Sequence, residues 1–223
     1  MNEKRNIHEL IRDKRVWDEP LSAADEALGF RGWHSRGYLP HFDAPGTRQL
    51  INYRLHDAMP ASRRHEWEAF LTIEDERERI AKLESYLDAG HGECHLRRPE
   101  IAVLVQENLL HFDGQRYRLL AWVIMPNHVH VLIETLQTPL AEILHGWKSF
   151  TSKAANRLLQ REGEFWQTEY FDRFIRDADH FGKAVRYIEN NPVKAGLVKS
   201  PQKWRFGSAH FRSVRSASGP PAC

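Results

Sequence analysis

The sequence predicts an α+β domain: an antiparallel sheet with helices on one face, in the split βαβ or ferredoxin-like arrangement. Three observations lead there. Two runs rich in β-branched and apolar residues, "QRYRLLAWVIM" and "HVHVLIE", flank the turn residues Pro126 and Asn127, as in an antiparallel hairpin. Two long stretches with helical spacing stand on either side of that hairpin. The order along the chain is strand, helices, strand, strand, helix, strand, helix.

Residues 1–45 read as an N-terminal arm, polar and without a clear period, with Gly and Pro scattered through "GFRGWHSRGYLPHFDAPG". Residues 46–198 read as the folded unit. Thr47–Asp57, "TRQLINYRLHD", alternates as a strand does. "ASRRHEWEAFLTIEDERERIAKLESYLDAGHG" has helical spacing up to Gly90, a glycine suited to a C-cap. "RRPEIAVLVQENLLHFDG" predicts a second helix, with Pro99 in its first turn and Gly114 after its end. Beyond the hairpin come an amphipathic helix, "TPLAEILHGWKSFTSKAANRLLQREG", and a short extended segment, "FWQTEYFDRFIRD". "ADHFGKAVRYIENN" is a last helix, expected to stop at Pro192 because proline lacks the N–H a helix needs. Residues 199–223 read as a basic, aromatic tail.

The chain has 223 residues, 41% hydrophobic and 28% charged, as in a globular domain. No apolar run approaches the roughly 20 residues of a membrane span. "MNEKRNIHELIRDKRVWDEP" has no apolar signal core, and Cys94 and Cys223 suggest neither a disulfide framework nor a CxxC zinc site. A reducing cytoplasm is the expected compartment. Net charge is +2 but unevenly placed: residues 1–135 hold 18 Lys+Arg against 22 Asp+Glu, and residues 136–223 hold 14 against 8. From Lys199 onward there are five basic residues and no acidic one, interleaved with Trp204, Phe206 and Phe211. Such a mixture either grips phosphates and stacks on bases or forms a solvated tail.

Side chains alternate along a strand, so His128 and His130 point the same way while Val129 points to the other face. Two imidazoles side by side on a buried strand have the geometry of a divalent-metal site, but two ligands under-coordinate an ion. The last helix offers a third donor. Tyr187 and Asn191 are spaced i and i+4 on one helical face, and Asn191 directly precedes Pro192, where its amide can turn towards a ligand. Each residue taken singly also has an ordinary reading, as a core tyrosine and a helix stop.

"MPNHVHVLIE", "KSFTSK", "FWQTEYFDRFIRD" and "YIENNPVKAGLV" stand in this order between Trp122 and Val198. In combination they resemble the single-tyrosine HUH transposases and, within them, the REP-associated tyrosine transposases. "SRGYLPHFDAPGTRQLINYRLHDAMP" resembles the start of a subgroup of these proteins. The resemblance runs from about Trp33 to Phe211. It implies an HUH endonuclease palm that binds single-stranded DNA folded into a hairpin, and Mg²⁺ or Mn²⁺ held by His128 and His130. It further implies Tyr187 as the nucleophile and Asn191 as third ligand, with Asn190 an adjacent alternative. Two imidazoles suit Mn²⁺ better than Mg²⁺, which prefers oxygen.

The chemistry implied is cleavage and rejoining through a 5′-phosphotyrosine and a free 3′-OH. Lys148, Arg186, Lys194, Lys203 and Arg205 are candidates for phosphate contacts. Arg36 and Tyr38, on the arm, are candidates for reading unpaired bases. Two other classes compete: a catalytically silent hairpin-DNA-binding regulator, and a metal-dependent phosphoesterase that uses water and tolerates Tyr187→Phe. Monomer and homodimer are both compatible with the sequence.

Overall fold

The computed structural model describes residues 20–35 and 40–217. Arg36 and Tyr38 lie outside the described residues. Four strands build the main sheet: β3 (Arg48–Arg54), β4 (Tyr117–Ile124), β5 (His128–Thr135) and β6 (Phe171–Phe174). Their spatial order is β4–β5–β3–β6, with every neighbouring pair antiparallel. That is the order the split βαβ pattern requires. The helices α4 (Pro99–His111) and α5 (Leu140–Leu158) are the two crossovers.

All eight residues of β5 are buried, because both faces of the central strand are covered. Val129, Val131 and Ile133 pack with Ile51, Tyr53 and residues of α4 and α5. Leu132 points to the opposite face, where it packs with Ala121, Val123 and, from α6 (Ala178–Lys194), Ala184 and Ile188. The expectation of helices on one face is corrected here. A strand apolar at both parities must be covered on both sides.

The segment between β3 and α4 folds as two helices, α2 (Arg64–Leu71) and α3 (Glu76–Asp88), where one was expected. Asp75 starts α3, its side chain accepting from the Glu78 N–H, so the local capping chemistry outweighs the continuous helical period. Trp67, Leu83 and Tyr86 form a small core between the two helices.

Pro192 does not stop α6, which runs to Lys194. The Gly196 N–H bonds the Val193 carbonyl and the Leu197 N–H bonds the Pro192 carbonyl, with Gly196 at φ +71°. This glycine-centred C-terminal motif ends the helix, and Pro192 near the last turn sacrifices a single backbone bond.

The arm contains α1 (Ala23–Ala27) and a paired hairpin of β1 (Gly32–Ser35) and β2 (Pro40–Asp43). Phe42 and Trp33 pack against Phe174 of β6, and His41 pairs with Asp172 at 2.7 Å. Residues after Lys199 also pack on the sheet. Trp204 donates its indole N–H to the Ile124 carbonyl, and Phe211 of α7 (Ser208–Ala217) meets the Trp122 ring. The tail's aromatics thus serve the core, while Lys203 and Arg205 remain exposed.

Two quoted motifs hold each other. Lys148 donates to the carbonyls of Gln167 and Thr168, and Thr151 accepts from the Trp166 indole. The "KSFTSK" helix therefore fixes the path of the segment leading into β6.

Candidate metal and tyrosine site

His128 and His130 leave β5 on the face covered by α6, opposite Arg54 and Asn52 of β3. Their rings lie edge to face, centroids 4.7 Å apart, and both are buried. From α6, Tyr187 brings its hydroxyl to 3.5 Å from His130 Nε2, and the Asn191 amide nitrogen lies 3.3 Å from the same atom. The i, i+4 spacing thus places both side chains over one imidazole. Asn190, by contrast, is exposed and donates to the Arg186 carbonyl outside the pocket. Between the two asparagines, the fold puts Asn191 at the histidines.

The orientation of His128 is set from behind. Asn127 donates its amide to the His91 carbonyl at 3.0 Å, which turns its Oδ1 towards His128 Nδ1, 2.8 Å away. With Asn127 presenting an acceptor, the proton of His128 is assigned to Nδ1, which leaves Nε2 with its lone pair. His128 Nε2 and Asn191 Oδ1 are both buried without a hydrogen-bond partner. Unpartnered acceptors are chemically able to hold a cation, and a set of two imidazole nitrogens and an amide oxygen suits Mn²⁺. Among the described residues, no three His, Cys, Asp or Glu side chains group as a metal site; the set here depends on an asparagine.

Burial holds both imidazoles neutral, the form that binds metal. Desolvation lowers His130 to about 3, with the Lys194 charge adding to it. His128 is lowered well below its ordinary value in the same direction, first by burial and then by His130, Arg54 and Lys194. Tyr187 is pushed far above the usual phenol range, first by burial and then by the Glu84 carboxylate, which repels a phenolate and hydrogen-bonds the phenol.

Glu84 and Asp88 were not foreseen as site residues. They lie one turn apart on α3, and Lys194 bridges them, 3.8 Å from Glu84 and 3.6 Å from Asp88. The i, i+4 acidic pair is visible in the sequence, but nothing local says that it faces a helix 100 residues later. Lys194 was expected at a phosphate and is here held by these carboxylates. Arg186 is exposed beside Tyr187. Lys148 belongs to the layer across the sheet, bordering a cavity of about 620 Å³ shared with Arg31, His34 and Tyr170.

The loop that carries His91 has little freedom. Gly92 lies at φ +83°, and a Cβ there would collide with the Asp57 backbone carbonyl. Gly92→Ala is expected to cost at least about 2 kcal/mol, a fall in melting temperature of roughly 4–8 °C measured by circular dichroism.

Part of the chain matches known proteins. Residues 105–191, from within α4 through β4, β5 and α5 to Asn191, match the family described as Transposase IS200 like. A REP-associated tyrosine transposase of Escherichia coli is 29% identical over 94 residues, 42% of this chain and 55% of the relative. A Haemophilus influenzae protein assigned to the same group is 28% identical over 111 residues, 45% of this chain and 62% of its own length. The matched regions thus span little more than half of the curated relatives. A solved REP-associated tyrosine transposase bound to a REP hairpin aligns with 82% of this chain and 86% of its own, at 18% identity and a TM-score of 0.48. The matched segment carries the histidine pair and ends on Asn191; over these residues the chain is similar to the IS200-like transposases, and REP-associated tyrosine transposases are among the proteins it resembles.

Proposed function

We propose that this protein cleaves and rejoins single-stranded, hairpin-flanked DNA through a 5′-phosphotyrosine on Tyr187, with Mg²⁺ or Mn²⁺ held by His128, His130 and Asn191. The observation that carries the proposal is the Tyr187 hydroxyl, 3.5 Å from His130 Nε2, beside Asn191, whose amide nitrogen lies 3.3 Å from the same atom. The bound ion would neutralise charge on the scissile phosphate and orient it for in-line attack. The other steps fall to side chains. Tyr187 oxygen forms the bond to phosphorus as the bond to the departing 3′ oxygen breaks, and that oxygen takes a proton to become the free 3′-OH. The phenolic proton needs an acceptor, because burial holds the hydroxyl protonated. Glu84, hydrogen-bonded to the phenol, is the acceptor in place. Reversal from the 3′-OH rejoins strands without an external energy source.

Hairpin DNA is the proposed substrate because both curated relatives belong to the REP-associated group. Arg186, Lys203 and Arg205, exposed on and beyond α6, are proposed phosphate contacts, and the arm with Arg36 and Tyr38 a contact for unpaired bases. No described helix is long and apolar enough to cross a membrane.

The test is a denaturing gel of the protein incubated with Mn²⁺ and 5′- or 3′-labelled hairpin oligonucleotides drawn from REP-type sequences. A slow band carrying the label of the 3′ fragment is expected. Cleavage without any adduct would replace the tyrosine mechanism with a water-using one.

A further inference from the structure

We infer that Glu189 is a positioning residue for Tyr187, and that the C-terminal helix α7 clasps it to hold α6 over His130. The inference rests on the tyrosine mechanism proposed above and extends it to residues away from the reacting atoms. Glu189 stands two residues from both Tyr187 and Asn191, so at 3.6 residues per turn it leaves α6 on the opposite side. Its side chain is only 14% exposed, because α7 covers it. Ser208, buried, donates its hydroxyl to Oε1 at 2.6 Å, and the Arg212 guanidinium pairs with the same oxygen.

The other end of the clasp is fixed to the sheet. The Ile124 N–H donates to the Phe206 carbonyl, the Trp204 indole donates to the Ile124 carbonyl, and Val123 bridges Gly207. These residues end β4, where Val123 lies opposite His130 and Ile124 opposite Val129. One short segment therefore grips the strand beside the histidines with one set of bonds and the helix of the tyrosine with another. The face of α6 that meets the sheet is apolar, through Ala184 and Ile188, and apolar burial is non-directional. It holds the helix down without fixing its rotation, which directional bonds on the far side can fix. The two bonds to Glu189 differ in weight. Arg212 is half exposed, where solvent screens an ion pair, whereas the Ser208 hydroxyl gives a buried bond to a charged acceptor. A displacement of about 1 Å at Tyr187 is enough to spoil an in-line attack.

The experiment compares the full chain as wild type, Glu189→Ala, Ser208→Ala and Glu189→Gln, each checked for folding by circular dichroism. Single-turnover cleavage of a labelled REP-type DNA hairpin with Mn²⁺ is measured beside affinity for the same DNA. Amide hydrogen exchange of the DNA-free protein is read by mass spectrometry over α6 and over β4 and β5. Glu189→Ala is expected to lower the cleavage rate at least about tenfold, with DNA affinity within about twofold of wild type. Exchange over α6 should rise at least about fivefold while β4 and β5 stay protected. Glu189→Gln keeps an acceptor for Ser208 and should recover most of the rate, whereas Ser208→Ala should fall between the two. A merely stabilising contact would lower the melting temperature and leave the rate of the folded protein alone. Folded Glu189→Ala and Ser208→Ala that cleave as wild type does would therefore overturn the inference and leave the tyrosine mechanism standing. If Glu189→Ala does not fold, Ser208→Ala, which deletes a single oxygen, decides by the same two readouts. Wild type that neither cleaves nor forms an adduct would overturn the tyrosine mechanism. Exchange over α6 would then still decide the clasp: unaltered in both variants it fails, and raised in both it stands.

Discussion

Tyr187→Phe is expected to abolish the covalent protein–DNA adduct and to lower cleavage by more than about 10³-fold, with Mn²⁺ binding retained. The substitution removes one oxygen and leaves the ring against its neighbours on α6 and β4. The lost hydroxyl lies near His130 Nε2 and is bonded by Glu84 and Asn191. All three partners survive, and none of the proposed metal donors is the phenol. The His128→Ala/His130→Ala variant should lose cleavage to a similar extent for a different reason, since it also loses the ion. Single-turnover cleavage of a labelled hairpin, run beside a Mn²⁺ titration, separates the two: one variant binds metal and does not cut, the other does neither. A tyrosine variant that cuts at the wild-type rate would move the chemistry to water.

Acid should destabilise the native protein through the same histidines. His130 is lowered by burial from its ordinary 6.5 to about 3. Between those values the unfolded chain takes up a proton that the native state refuses, so stability rises with pH. Stability is therefore complete above about pH 6.5 and lost as pH falls towards 3, at up to roughly 1.4 kcal/mol per pH unit for this one group. His128 shifts in the same direction. Asp88 and Glu84 act oppositely, because burial raises both and the native state binds their protons more readily than the unfolded chain. The histidine contribution is isolated by comparing urea midpoints of wild type and His130→Gln between pH 7 and 4. Wild type should lose more stability over that range, and equal slopes would show that burial does not hold His130 neutral.

The strands and their order were legible because alternation and β-branched runs are local properties. So was the pairing of His128 with His130, which any extended strand enforces, and the common face of Tyr187 and Asn191, which any α-helix enforces. The sheet's second covered face is also written in β5, in Leu132 standing between Val131 and Ile133. The run of α6 through Pro192 was hidden because proline's cost depends on its place in the helix. Near the C-terminal turn, with Gly196 closing the carbonyls, that cost is small. The break between α2 and α3 turned on a single capping aspartate inside a continuous helical period.

The sequence by itself determined which chemical groups this protein carries and which of them share a strand or helix face, since backbone periods of 2 and 3.6 residues act between near neighbours. It could not say which faces meet. That α6 lays Tyr187 and Asn191 over His130, and that α3 brings Glu84 and Asp88 to the same pocket from 100 residues away, was decided by tertiary structure alone. Burial of apolar surface is non-directional: it selects the packing that covers both sides of β5. Only within that packing do distant polar groups acquire one another as partners.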